Sequence, residues 1–340
     1  MSNETLFPIQ FSSSMFSDIW KCEMYFFRKH CQRLVGGNRS HHLIAGGHIA
    51  RACELTRKAY FNEGKDEEEA IDIGINHILE SEDTGDELKS NERVAMCFKK
   101  YFKKYKLSSN LKPVPLADGT FAIEYLFRFD LGIPHPEIPG QNIVFKGKLD
   151  GLYERPYQQN RKVSVLDEKS TARVPKNSDG SPDIIAEENV FNSRGQFLAY
   201  HFAARELGVE THETIVRRFP ITKEYQEPYE LILPINNFML NNWKASTVAK
   251  IEELIEKYKW LKSNGGLPQR AFYPIYSEGC NEFNRPCEFK IGCLNKEGES
   301  EIFSSYKQAI FTDANNNEAY SDESVKEWAL KEYKQFVLGY

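Results

Sequence analysis

The sequence predicts a mixed α/β (α+β) fold, a core sheet flanked by helices. Three observations carry that expectation. The first 110 residues place apolar side chains at helical spacing; residues 121 to 133 switch to a period of two; helical spacing returns after residue 194. Hydrophobic content of 41%, with 23 Phe and 17 Tyr in 340 residues, leaves ample apolar surface to bury, so the expectation is a folded chain rather than a disordered one.

Taken in order, residues 13 to 34 set Phe16, Ile19, Trp20, Met24 and Phe27 along one helical stripe. A second helix is expected over 43 to 61, after the turn-forming GGNRS. In NERVAMCFKKYFKKYK, Val94, Cys97, Phe98, Tyr101, Phe102 and Tyr105 share a face that Lys99, Lys100, Lys103 and Lys104 largely avoid. In FAIEYLFRFDLGI, Phe121, Ile123, Tyr125, Phe127 and Phe129 alternate with polar positions that include Glu124, Arg128 and Asp130, which predicts a strand. VFKGKLDGLYE and KVSVLDEKS follow as strands around RPYQQNR. RGQFLAYHFAARELG reads as a helix ended by Gly208, ETIVRRFPI as a strand, and VAKIEELIEKYKWLKSNGG as a helix stopped by Gly265 and Gly266. One domain is expected over 1–295: a helical part 13–110, the core 115–275 and a cysteine loop 276–295. A polar, acidic extension with a terminal helix follows over 296–340.

There is no run of about 18 apolar residues and no basic-then-apolar start, so the expected setting is cytoplasmic. In a reducing compartment the seven cysteines point to core packing, metal or catalysis rather than disulfides. The net charge of −5 argues against a partner held by bulk charge alone.

The chemistry concentrates in two places. A hairpin symmetric about Gln158 and Gln159 sets Asp150 opposite Asp167 and Lys148 opposite Lys169. Facing side chains on paired strands lie about 4.5–5.5 Å apart at Cβ, so two acids and two lysines would share one surface. Facing carboxylates repel unless a cation joins them, and hard oxygen donors suit Mg²⁺ or Mn²⁺. The simpler account is a solvated face whose acids and lysines cross-pair. Alternation puts Glu168 on the opposite face, so its side chain is given no metal role. The second place is CNEFNRPCEFKIGC, where Cys280, Cys287 and Cys293 lie in a loop too rich in Gly, Pro and Asn to be core, and lack two tight C-x-x-C zinc pairs.

Asp150, followed by Asp167-Glu168-Lys169 on the next strand, resembles the PD-(D/E)XK nuclease superfamily, whose fold is a restriction-endonuclease-like core sheet flanked by helices. Gln196 and Tyr200, four apart on a helix, resemble the Q-x-x-x-Y motif of its RecB-like branch, and AGGHIARACE resembles the stretch that carries that branch's metal-binding histidine, here His48. The resemblance implies that His48, Asp150, Asp167 and the main-chain carbonyl of Glu168 hold the metal. It further implies that Lys169 assists the attacking water and that Gln196 and Tyr200 hold DNA. SSSMFSDIWKCEMYFFRKH resembles the early cysteine segment of the iron-sulfur members, which include AddB-like and CRISPR-associated exonucleases. Cys22 would then join Cys280, Cys287 and Cys293 around a 4Fe-4S cluster, with Cys31 as the rival to Cys22 and zinc as the alternative metal. Cys53 and Cys97 fall in helical patterns and read as packing residues.

The compact form is similar to phage-type stand-alone members, and implies an exonuclease on single-stranded DNA or DNA ends in recombination or repair. Lys99, Lys100, Lys103, Lys104 and Lys106, with Tyr101 and Tyr105, would supply charge and stacking for a phosphate backbone, or else form a solvated helix face. Arg28, Lys29, Arg33 and Arg194 are further candidate contacts. A non-catalytic DNA-binding or assembly protein clamped by a metal cluster is the competing function.

Overall fold

A computed structural model describes residues 7–35, 41–109, 111–117, 119–157, 160–192, 194–222, 226–265, 268–274, 280, 286–294 and 307–308. Along the chain run β1 (Gln10–Phe11), α1 (Ser13–Lys21), α2 (Glu23–Phe26), a π-helical turn (Phe27–Cys31), β2 (Leu34–Val35), α3 (His41–Arg57), α4 (Glu67–Glu80) and α5 (Asn91–Lys104). Then come β3 (Lys112–Pro113), β4 (Ile123–Pro134), β5 (Asn142–Tyr157), β6 (Asn160–Thr171), α6 (Ile184–Asn192) and α7 (Gly195–Glu206). The described chain finishes with β7 (Thr211–Pro220), β8 (Tyr229–Pro234), α8 (Asn237–Asn264), α9 (Lys290–Leu294) and β9 (Lys307–Gln308).

The fold is α/β. Its mixed sheet runs in the order β1-β5-β6-β7-β8, with β3 and β4 also paired to β5. Two compact units divide the chain. One comprises 1–38, 128–146 and 244–340, and the other 39–127 and 147–243.

The second unit holds the C-terminal part of β5, with β6, β7 and β8. The β5–β6 hairpin pairs Gly151 with Leu166 through Tyr157 with Asn160, antiparallel, and the same register extended by one residue sets Asp150 against Asp167. β7 returns parallel to β6, placing Lys169 beside Arg218, and β8 closes antiparallel on β7. Helices α3, α4 and α5 pack together beside this sheet. Asp66 caps α4 by accepting from Glu69 N–H (2.8 Å), and Ser90 caps α5. The apolar stripe of α5 buries Phe98, Tyr101 and Phe102 against Phe219 of β7. α4 can approach α3 and α5 because position 74 is glycine: a Cβ there would lie 2.7 Å from the Phe98 ring and closer still to Thr56 Oγ1.

In the first unit the aromatic core is chained Phe129–Phe145 (5.4 Å between centroids), Phe11–Phe26 (6.0 Å) and Phe7–Tyr258 (5.3 Å). β1 lies parallel to the start of β5 at Val144 and Phe145.

Three differences from the sequence reading stand out, at Cys22, at Glu124 and at the start of α8. The helix expected over 13 to 34 breaks at Cys22, whose extended backbone (φ −170°, ψ 124°) ends α1 and begins α2. Alternation in β4 fails at Glu124, which takes a left-handed φ of 51° and turns inward to 7% exposure, while Leu126 faces solvent. α8 begins at Asn237, eleven residues before the apolar pattern read from Val248, with Leu240 of its first turns buried in the core and Phe238 exposed. Glycine at 208 (φ 75°) and at 265 (φ 63°) ends α7 and α8 as their left-handed geometry requires. The terminal helix expected within 296–340 lies outside the described residues. Among those residues no helix is long and apolar enough to cross a membrane.

Candidate active site

All the acids, the lysine and the helix pair of the expected centre lie in the second unit. The β5–β6 ladder stops at Gly151–Leu166, and the next link is made by a side chain: Glu168 N–H donates to Asp150 Oδ2 (2.7 Å). Lys169 Nζ donates to Asp167 Oδ1 (2.8 Å). Asp167 is fully buried, and its other oxygen, Oδ2, has no hydrogen-bond partner. Burial, and then the charge of Asp167, push the Asp150 carboxyl well above the usual carboxylate range. Burial opposes charge on Lys169, but Asp167 and Asp150 outweigh it and keep the ammonium charged. The centre is therefore two carboxylates short of positive charge, with one amine already committed.

Glu168 turns to the other face of β6. Its carboxylate, 4% exposed, is gripped by both Arg57 terminal nitrogens and the Tyr101 hydroxyl. Burial alone would raise its pKa, yet Arg57 holds it below the ordinary value. The two faces of one strand thus carry separate chemistry, an acid pair with lysine on one and a buried ion pair on the other.

Helix α7 supplies Gln196 and Tyr200 one turn apart, and Gln196 Nε2 donates to the Tyr200 hydroxyl. The Tyr200 ring is fixed edge-on by Phe127 (5.8 Å). Burial, followed by the Asp167 and Asp150 charges, raises its pKa far above 10, so the phenol stays neutral.

His48 is half-buried on α3, whose Gly46 packs toward Ser170 and whose Arg57 reaches Glu168, both on the face away from Asp167. No hydrogen bond or ion pair joins His48 to Asp150 or Asp167. Its electrostatic neighbour is instead His77, whose pKa burial, Arg51 and His48 together lower. Lys148, expected opposite Lys169, is bound to Glu124 and lies 3.9 Å from Glu54. The residue that sequence reasoning misses is Glu124. It is buried beside Lys148, its pKa is raised first by burial, and its charge acts on Asp150. A period of two placed it on the solvent side, and nothing in the sequence marks the backbone reversal that brings it in.

Tyr101 is wholly buried, so it offers no face to a base, whereas Tyr105 is half-buried, Lys99 and Lys103 are exposed, and Lys104 donates to the Pro228 carbonyl. Arg28 is also fully buried and cannot meet a phosphate backbone.

In the first unit, Cys22, Cys280, Cys287 and Cys293 line one small pocket with Met24, Tyr25 and Phe289. Cys31 is fully buried and does not line it. Burial raises the Cys287 thiol and pushes Cys293 up to about 11, and charges on neighbouring cysteines add to both. Cys53 and Cys97 are buried in α3 and α5.

Among the described residues no three His, Cys, Asp or Glu side chains are drawn together as ligands of one ion. The donor chemistry nonetheless suits two groups. The unpartnered, buried Asp167 oxygen beside a second carboxylate, Asp150, fits a hard divalent cation. Four cysteines around one pocket fit a thiolate-bound metal or cluster.

No family model and no curated protein matches the chain. Among solved structures it is similar to the "putative exonuclease" from Eubacterium rectale, at 13% identity and a TM-score of 0.37, over 78% of this chain and 84% of that one. It is also similar to SSO0001, at 14% identity and a TM-score of 0.23, over 58% of this chain and 74% of that one.

Proposed function

We propose that the protein is a metal-dependent deoxyribonuclease that cleaves phosphodiester bonds at the Asp150–Asp167–Lys169 centre. One observation carries this: the buried Asp167 and the half-buried Asp150 share a face with a charged amine, and one Asp167 oxygen is left without a partner. Asp150, Asp167 and the main-chain carbonyl of Glu168 would hold Mg²⁺ or Mn²⁺, with His48 as a candidate further ligand. When bound, such an ion supplies a nucleophile at neutral pH and offsets charge on a phosphoryl oxygen.

The chain's own residues do the positioning. Lys169, kept charged by the acids, orients the attacking water and faces the charge that builds on the phosphate. Tyr200, neutral and fixed by Phe127, and Gln196 present a hydroxyl and an amide to the substrate strand. The activity is that of an exonuclease on single-stranded DNA or DNA ends, serving recombination or repair. The test compares wild type with Asp150→Ala and Lys169→Ala on end-labelled single- and double-stranded DNA with Mg²⁺ or Mn²⁺. Near-complete loss in both variants, with circular dichroism unchanged, is expected; undiminished cleavage in either overturns the assignment.

The pocket of Cys22, Cys280, Cys287 and Cys293 holds a 4Fe-4S cluster in the same reading, with zinc as the alternative. Cys287→Ser should then yield colourless protein with a lower melting temperature. Iron content and melting temperature equal to wild type would remove that role.

A further inference from the structure

Beside Lys169 the second unit opens a cavity of about 700 Å³, within the size range of small-molecule sites. Its cations are Lys169, Arg173, Lys176, Arg194 and Arg218, against a single carboxylate, Glu187. That carboxylate is already spent: Arg218 grips both its oxygens (2.9 and 3.2 Å) and the Tyr229 hydroxyl donates to it (2.8 Å). Arg194 and Arg173, both exposed, have no carboxylate partner among the described residues.

Two of the cations are also held in place. The Phe191 ring, buried at 3% exposure, carries the Arg194 guanidinium 4.1 Å from its centroid and that of Arg218 at 4.9 Å. A guanidinium pinned over a ring keeps its donor fork fixed, which suits a bidentate grip on a phosphate. Partial desolvation by the Phe191 ring beneath it and the nearby Arg218 both oppose the Arg194 charge, so an anion between the two guanidinium groups relieves repulsion. Val174, Pro175 and the exposed Val190 add an apolar wall that a bare phosphate would not use.

We infer that this cavity is a nucleotide subsite, taking one unpaired nucleotide of the substrate strand with its phosphate on Arg194 and Arg173, next to Lys169. It rests on the proposed nuclease activity for its physiological substrate, but its binding chemistry is separable. A space of this size, walled by α6, the start of α7 and the segment after β6, holds a nucleotide and excludes a base-paired duplex. The substrate class is therefore single-stranded.

Binding is measured by calorimetry on the full chain in EDTA, which removes any dependence on cleavage. Probes are deoxyadenosine 5′-monophosphate, deoxyadenosine and inorganic phosphate. The monophosphate should bind, with deoxyadenosine and phosphate each markedly weaker. Arg194→Ala and Arg173→Ala should each weaken it about tenfold, the loss of one charge-assisted hydrogen bond. Lys259→Ala, a surface lysine on α8, should bind as wild type does. No binding, or equal affinity in Arg194→Ala, overturns the subsite, and inorganic phosphate binding as tightly as the nucleotide overturns its nucleotide character. If Asp150→Ala retains cleavage while the arginine-dependent binding persists, the active-centre assignment fails and the subsite stands. If single strands are cleaved with no nucleotide binding, the subsite fails and the nuclease stands.

Discussion

The Arg57–Glu168 ion pair beneath β6 gives the most demanding test of how this candidate site is supported. Arg57 and Glu168 have side chains 3% and 4% exposed, so neither charge is solvated. Arg57→Met leaves the Glu168 carboxylate with the Tyr101 hydroxyl and the field of Arg217 but without its main counter-charge. Orphaning one member of a buried pair costs about 3–5 kcal/mol. Glu168→Gln strands the guanidinium instead and should cost a similar amount. Removing both charges in Arg57→Met/Glu168→Gln leaves no uncompensated ion, so the double variant should lose much less than the sum, with a coupling of about 2 kcal/mol or more. Equilibrium urea unfolding measures this as a shift in midpoint at constant slope. A loss below about 1 kcal/mol in Arg57→Met, or strict additivity in the double variant, would refute the view that Glu168 is a structural anion whose charge is held by Arg57.

Three further outcomes follow from single residues. His201 is buried with its ring nitrogens 2.6 and 2.8 Å from the hydroxyls of Thr211 and Thr214, and burial lowers its pKa to about 3 from 6.5. The unfolded chain therefore takes up a proton that the folded one refuses: stability is full above pH 6.5 and falls as pH drops toward 3, by about 2 kcal/mol at pH 5. Thermal unfolding at pH 7.5 and 5 should show that loss in wild type and a shallower one in His201→Gln. Gly74→Ala, which in an open helix would gain about 1 kcal/mol, should instead cost about 1–3 kcal/mol because its methyl meets Thr56 and Phe98; a raised melting temperature would contradict the packing. Glu124→Gln should leave the fold intact and alter the dependence of DNA cleavage on Mn²⁺ concentration, since its charge acts on Asp150; an unchanged metal titration would leave it a purely structural partner of Lys148.

What could be read in the sequence was what periodicity and symmetry encode. The α5 stripe has a single amphipathic solution. The Gln158–Gln159 centre of the hairpin fixes the partner of every residue from Gly151 to Tyr157, and so the approach of Asp150 to Asp167. Features set by one backbone angle or by distant segments were not legible. The extended kink at Cys22 leaves no gap in the apolar spacing around it, and the left-handed Glu124 looks like any polar strand position. The basic cavity draws on Arg173, Arg194 and Arg218, whose separations match no local period; the parallel return of β7 sets Arg218 beside Lys169, and the start of α7 and the segment after β6 add Arg194 and Arg173. Helix α4 was hidden because the face it buries is small, Ala70, Gly74 and Ile78.

The parallel ladder between β6 and β7, running from Ser164 to Thr171, has an evolutionary consequence. Because successive side chains point to opposite faces, sliding β6 by a single position would exchange Glu168 with its neighbours and carry the anion meant for Arg57 onto the face that holds Asp167 and Lys169. Insertions or deletions inside this strand are therefore closed to a drifting lineage, whereas length changes can accumulate harmlessly at the hairpin tip. Divergence should be written in the turn and silent along the rung.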